Sequence, residues 1–342
     1  MTEHNIDTFI VSQPENILYL SGFTSGADAR LVITPARQYL VTDSRYWEQV
    51  EREAPDWELI KENHPDFNSM FALIDRAART GVESHYITYA DYLGIKSKLG
   101  REPVPVNQLI EELRLVKDED ELQCLRDSAH ISDEVFKEAA AFIKPGLSER
   151  QVASYIAYQL REHGCARESF ETIAVAGPNA ALPHGKPGSR LLAQGDMLTM
   201  DYGGFFKNYA GDMTRTVFIG SASPDSRDKY MKVLEAQQLG VSLVKPGARC
   251  SDVDRAVRDC LAQYGLDVYF GHGLGHGVGL EIHEAPRLSR FCDTILEENM
   301  VVTVEPGIYI PGWGGIRIED TVIVRNGGCE VITHTDKSLL TL

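Results

Sequence analysis

The chain has 342 residues, 43% of them apolar, and a formal net charge of −16 from 50 acidic and 34 basic side chains. That length holds two domains, and that apolar fraction supplies a sizeable core, which excludes a disordered chain. The negative balance argues against nucleic acid or an anionic membrane as partner, and most of the acidic excess reads as solvated surface.

In chain order, the start MTEHNIDTFIV shows neither a basic n-region nor an apolar h-region. IDTFIV, ARLVIT and QYLVT then read as strands. SRYWEQVEREA reads as an amphipathic helix with Asp43 or Ser44 as N-cap. Residues 67–79 and 89–99 follow as helix candidates, with VESHYI as a strand between them. This is an α/β pattern without a phosphate-cradling glycine loop. The Pro-rich stretch REPVPVN marks a boundary there or shortly after.

A long charged helix is expected over residues 113–143, stopped by Pro145 and Gly146. Ser148 opens the next helix, to about His163, with Gln151 completing a capping box. Another runs from Pro224 after Ser223 to about Val244, ending at a second Lys-Pro-Gly, and a fourth from about Ser251 to Gly265. Helix, Lys-Pro-Gly, helix, strands thus occurs twice, at 120–217 and 224–325, which reads as two similar halves of one domain. No run approaches the roughly 18–20 apolar residues of a membrane span. Six scattered cysteines without a C-x-x-C pair argue against a disulfide framework or a thiolate zinc site and fit a reducing cytoplasm.

The chemistry lies where apolar strands meet acidic residues. Asp201 ends the run LTM, and Asp212 precedes TRTVFI; antiparallel pairing would set the two carboxylates side by side. The second half repeats this with Glu305 after VVTV and Glu319 in GIRIEDTVIV. Adjacent buried carboxylates repel and need a proton or cation between them, and oxygen-rich ligation suits Mn²⁺, or Co²⁺ and Zn²⁺ where an imidazole joins. Residues 271–284 supply three histidines among five glycines, whose lack of Cβ allows close backbone approach. Arg317, two before Glu319, faces the same side if the strand alternates.

The run HGLGHGVGLEIHE is similar to the signature of prolidases and aminopeptidase P. The order Asp, Asp, His, Glu, Glu resembles the metal ligands of the methionine aminopeptidase–prolidase–aminopeptidase P–creatinase superfamily, here Asp201, Asp212, His276, Glu305 and Glu319, in the contexts MDYG, GDMTRT, VEPGIY and GIRIED. NILYLSGF and DSRYWEQ resemble the creatinase-like N-terminal domain. The resemblance spans nearly the whole chain. It implies an α/β creatinase-like domain over residues 1–112 and an α+β pita-bread domain with pseudo-two-fold halves over 113–342. It also implies a cytoplasmic, homodimeric, two-metal peptidase that cuts short peptides before proline, either as dipeptidase or as aminopeptidase.

In the family pattern Asp201 binds one ion, His276 and Glu305 the other, and Asp212 and Glu319 bridge; Glu305 also carries a proton to the leaving nitrogen. His184, His272 and His283 would hold the substrate and stabilise the tetrahedral intermediate, Arg317 would orient a ligand carboxylate or a tyrosine, and Arg287 would meet the substrate carboxylate. A creatinase-like amidinohydrolase and a non-catalytic pita-bread binding protein are the competing readings. Both fit poorly with a full ligand set and the absence of basic tails.

Overall fold

The structure, a computed structural model, describes residue 1, residues 4–64 and residues 66–342. It divides into two compact units, Met1–Arg114 and Leu115–Leu342.

The first unit is built on a six-stranded sheet, in the spatial order Glu58–Glu62, Gln38–Asp43, Ala29–Ile33, Thr8–Val11, Thr80–Glu83, Val104–Val106. Alternation sends Phe9, Val11, Leu31 and Leu40 into one core and Ile10, Val32, Val41 and Val82 into another, so both faces are covered. The Pro-rich stretch forms the edge strand Val104–Val106, where Pro105 costs no ladder bond on the open side.

Several expected elements shift. The helix after Asp43 begins only at Trp47, because the Asp43 carboxylate accepts from the Arg45 backbone N–H at 3.0 Å and closes a turn instead. Residues 67–79 give only the 3₁₀ turn Asn68–Leu73: Phe67 enters at φ 51°, and the Asp75 carboxylate takes the Ala77 N–H at 2.7 Å in place of a helical bond. The following strand pairs over Thr80–Glu83 and leaves the sheet earlier than VESHYI predicts. The long charged helix starts later than expected, at Glu119, and runs to Phe142 behind a capping box between Asp118 and Glu121, while Leu113 and Arg114 end a separate short helix, Leu109–Arg114.

The second unit shows the repeat. Helices Glu119–Phe142 and Glu149–Glu162 precede an antiparallel sheet in the order Met213–Phe218, Met197–Tyr202, Ile173–Ala176. Helices Pro224–Leu243 and Cys250–Ala262 precede Asp320–Arg325, Val301–Val304, Gly275–Gly277 in the same third–second–first order, with Glu284–Leu288 and Gly328–Val331 added at the two edges. The halves meet where Glu319 N–H donates to the Thr214 carbonyl at 3.2 Å and the Thr321 hydroxyl to the Asp212 carbonyl at 2.9 Å.

A buried ion pair fastens this junction. Asp320, fully buried, accepts from Arg215 at 3.0 Å, Gln237 at 2.8 Å and the Thr333 hydroxyl at 3.0 Å. Asp320→Ala strands the buried Arg215 charge, and a loss of about 3–5 kcal/mol in urea unfolding is expected. A loss below about 1 kcal/mol, the ordinary size of an exposed pair, contradicts this role.

Candidate metal centre

Each half delivers its carboxylates to the same place. Asp201 lies on Met197–Tyr202 opposite Thr214, and Asp212 immediately precedes Met213–Phe218. Asp201, Asp212 and Glu319 present oxygens that all lie within 4.8 Å of one another. Glu305 directly follows Val301–Val304, and Glu319 precedes Asp320, the register partner of Val304. Arg317 and Glu319 do not share a strand: Arg317 pairs with Gly307 in a two-stranded hairpin, and the chain changes sheets at residues 318–319. Both nevertheless line one cavity.

His276 completes the group, with Nε2 at 3.5 Å from Asp212 Oδ2 and 3.4 Å from Glu305 Oε1. Its strand can approach because Gly275 has no Cβ; one there would meet the Thr303 carbonyl oxygen at 1.9 Å. His276 Nδ1 lies 3.1 Å from the Gly277 carbonyl, so Nδ1 carries the hydrogen and Nε2 turns a lone pair toward the carboxylates. Burial, helped by His283, holds this imidazole near 3, so it stays neutral.

The resulting electrostatics demand a counter-charge. Burial, then repulsion from Glu319, Asp201 and Glu305, pushes Asp212 well above the usual carboxylate range. Burial with repulsion from Glu305 and Asp201 does the same to Glu319. Burial pushes Glu305 up to about 8, against the pull of Arg317. Asp201 Oδ1 and Glu319 Oε1 are buried without a hydrogen-bond partner. Orphaned carboxylate oxygens and an imidazole lone pair aimed at one point fit divalent cations and no protein donor.

The cavity, about 570 Å³, also contains His184, His272, His283 and Arg287, so every residue expected at the site is brought to it. Arg287 is the direct cross-strand partner of His276, which puts the two side chains on one face. His184 and His283 are exposed. His272 is differently placed. Its Nδ1 donates to the Gly273 carbonyl at 2.8 Å, and its Nε2 lies 2.8 Å from the Tyr309 hydroxyl. Arg317, a donor only, gives Nη1–H to that same hydroxyl oxygen at 2.7 Å, so the Tyr309 hydrogen goes to His272. Burial and then Arg317 hold His272 near 4. Both of its ring nitrogens are therefore engaged, and a bond from Nε2 to substrate requires Tyr309 to let go.

Other residues escape the sequence reading. Thr214 donates to Glu319 at 2.7 Å and accepts from Arg317 Nε at 3.1 Å, while Thr303 accepts the His276 N–H at 3.1 Å and donates to Glu305 at 3.3 Å. Arg317 also clamps Asp201. Phe170, Glu171 and Lys186 form part of the cavity wall. Tyr309→Phe frees His272 Nε2 and removes an acceptor from Arg317. A fall of roughly 10–100-fold in kcat/KM with metal content retained is expected, and unchanged kinetics contradict the link.

Known proteins share this fold and much of this sequence. Residues 123–326 match metallopeptidase family M24, and residues 1–116 match the creatinase/prolidase N-terminal domain. A Xaa-Pro dipeptidase of Pyrococcus furiosus is 33% identical over 99% of this chain and 97% of its own. The solved structure of a Xaa-Pro dipeptidase from Bacillus anthracis superposes with a TM-score of 0.96 at 38% identity, covering 100% of this chain and 96% of that one. An X-Pro aminopeptidase from Thermotoga maritima gives 0.92 at 34% identity, covering 98% of each chain. With residues 123–326 and 1–116 matched by these two families and nearly all of its length shared with the relatives, the chain belongs to metallopeptidase family M24 and carries the creatinase/prolidase N-terminal domain.

Proposed function

We propose that this peptidase holds two divalent cations and hydrolyses the peptide bond that precedes proline in short peptides. The carrying observation is the convergence of His276 Nε2 with four carboxylates, two of their oxygens orphaned, in a cavity that also presents Arg287. Asp201, Asp212, His276, Glu305 and Glu319 are the residues that would hold the ions, Asp212 and Glu319 serving both. Cations there supply Lewis acidity, which polarises a carbonyl and makes a water a better nucleophile. Manganese is the first choice for so oxygen-rich a donor set, with cobalt and zinc next.

The chain's own groups do the rest. Glu305, which lines the cavity, would take the proton of the attacking water and pass it to the leaving nitrogen. An imide-like proline nitrogen has no N–H, so it must gain a proton to depart. His184 and His283 present ring nitrogens to the carbonyl oxygen as charge develops there. Arg287 receives the C-terminal carboxylate in a two-pronged bond, which favours a dipeptide over a longer peptide. Arg317 keeps Asp201 and Tyr309 in place.

A dipeptidase hydrolyses Xaa-Pro in preference to Xaa-Pro-Yaa, with Mn²⁺, Co²⁺ or Zn²⁺ supplied in turn. The reverse preference assigns the aminopeptidase activity that the Thermotoga protein's name carries. No turnover of either peptide with any of the three ions overturns the proposal. The six cysteines are all free, which suits a cytoplasmic location, and no described helix is long and apolar enough to cross a membrane. A homodimer is proposed on family resemblance; a monomer at micromolar concentration in sedimentation rejects it.

A further inference from the structure

We propose that Cys292 and Cys250 form a peroxide-oxidisable thiol pair, and that their disulfide disturbs the Arg287 side of the cavity. The two backbones run side by side: Ser251 N–H donates to the Cys292 carbonyl at 2.9 Å and Cys250 N–H to the Thr294 carbonyl at 3.0 Å, next to an antiparallel bridge between Arg249 and Ile295. Cys250 belongs to the apolar core of the second unit, and Cys292 packs against that same core. Cys250 opens the helix Cys250–Ala262 and is fully buried, whereas Cys292 is partly exposed on the loop between Ser289 and Ile295.

The setting separates their chemical roles. Cys292 Sγ lies 3.4 Å from the Thr294 hydroxyl. Against partial burial, which raises it, hydrogen bonding at Thr294 and at the Arg287 backbone holds the Cys292 thiol below its ordinary value. Burial pushes Cys250 up to about 12, Cys165 and Cys329 up to about 11, and Cys124 and Cys260 upward as well. Cys292 is thus the one cysteine that combines access with stabilised thiolate, and Cys250 is the resolving thiol at its side.

The reaction balances with hydrogen peroxide as oxidant. The Cys292 thiolate attacks one peroxide oxygen; an S–O bond forms, the O–O bond breaks, and the departing hydroxide is protonated to water. Cys250 sulfur then attacks the sulfenic sulfur; the S–S bond forms, the S–O bond breaks, and the hydroxyl leaves as water with the Cys250 proton. Two thiols lose two electrons, and one peroxide becomes two waters. The coupling to the cavity runs along the chain. The Cys292 N–H donates to the Ser289 carbonyl at 3.1 Å, directly after Glu284–Leu288, the strand that carries Arg287 opposite His276.

The test treats manganese-loaded protein with a few equivalents of hydrogen peroxide, alkylates the remaining thiols and maps peptides by mass. A Cys250–Cys292 link with the other four cysteines alkylated is expected. Cys250→Ser should leave Cys292 as a trappable sulfenic acid, and Cys292→Ser should leave Cys250 reduced. KM for a Xaa-Pro dipeptide should rise roughly threefold or more, with kcat nearly unchanged, and return on reduction with dithiothreitol. Oxidation of another cysteine before Cys292, or no link between the pair, overturns the site. A link that leaves KM unmoved overturns the coupling. The kinetic arm rests on the proposed role of Arg287, whereas the mapping arm needs no substrate, so a protein that oxidises at this pair yet cuts no Xaa-Pro peptide counts against the function alone.

Discussion

Asp212→Asn is expected to lower kcat/KM by at least about 10³-fold while the protein stays folded. The side chain keeps its size and one oxygen but loses the charge that two neighbouring cations need between them. The buried cluster makes a second, opposite effect follow from the same change. In the metal-free protein Asp212 is crowded by Glu319, Asp201 and Glu305, and burial already holds its proton on. An amide there is as neutral as the protonated acid it replaces, so the metal-free variant should melt no lower than the metal-free parent and gain less on adding manganese. Three measurements decide it together: kcat/KM, bound metal per chain, and melting temperature with and without chelator. Full activity in the variant refutes the bridging role. A metal-free variant that unfolds at lower temperature shows that Asp212 has a structural part beyond the ions.

How far the sequence reaches depends on how local the cause is. Asp201 and Glu305 are legible because a carboxylate ending a buried strand needs a partner, and the duplicated helix–Lys-Pro-Gly–helix pattern says where its twin must be. The α/β first unit and the two-fold second unit follow from the same periodicities. Arg317 and Glu319 do reach one cavity, as alternation along one strand would have it, but by another route: the chain leaves a hairpin and enters another sheet between them, which no spacing announces. Thr214, Thr303 and Tyr309 are silent in the sequence: a hydroxyl acquires its role only from what tertiary pairing sets beside it. VEPGIY contains Tyr309, yet nothing in that phrase tells that Arg317 will turn its hydrogen toward His272. Cys250 and Cys292 are equally silent, because a backbone ladder between distant segments makes them neighbours. The helix expected over 67–79 fails for a local reason that was readable, since Asp75 competes for the backbone N–H two residues on.

The metal-free protein should lose stability as pH rises from about 7 to about 8.5, and manganese should restore it increasingly over that span. Asp212, Glu305 and Glu319 are all raised, so the folded state holds protons that the unfolded chain, with carboxyls near 4, has already released. The contribution of such a group is fully present below about 4 and is lost progressively as pH rises to its folded value, which for Glu305 is about 8. His272 and His276 work in the opposite sense lower down. Burial keeps them neutral in the fold, so the unfolded chain binds more protons below about 6.5 and stability climbs with pH there. The two trends oppose each other between about 4 and 6.5, and above about 6.5 only the fall due to the carboxylates remains. Cations take the place of the protons, so their binding strengthens as the protons leave, and a site filled only in the folded state adds stability in proportion to the logarithm of occupancy. The melting temperature of chelated protein should fall by about 3 °C or more between pH 7 and 8.5, and the gain on adding manganese should be larger at the higher pH. Glu305→Gln, which cannot ionise, should flatten the slope of the chelated protein. A chelated melting temperature that holds or climbs across this range, or a manganese gain independent of pH, contradicts a centre whose carboxylates exchange protons for metal.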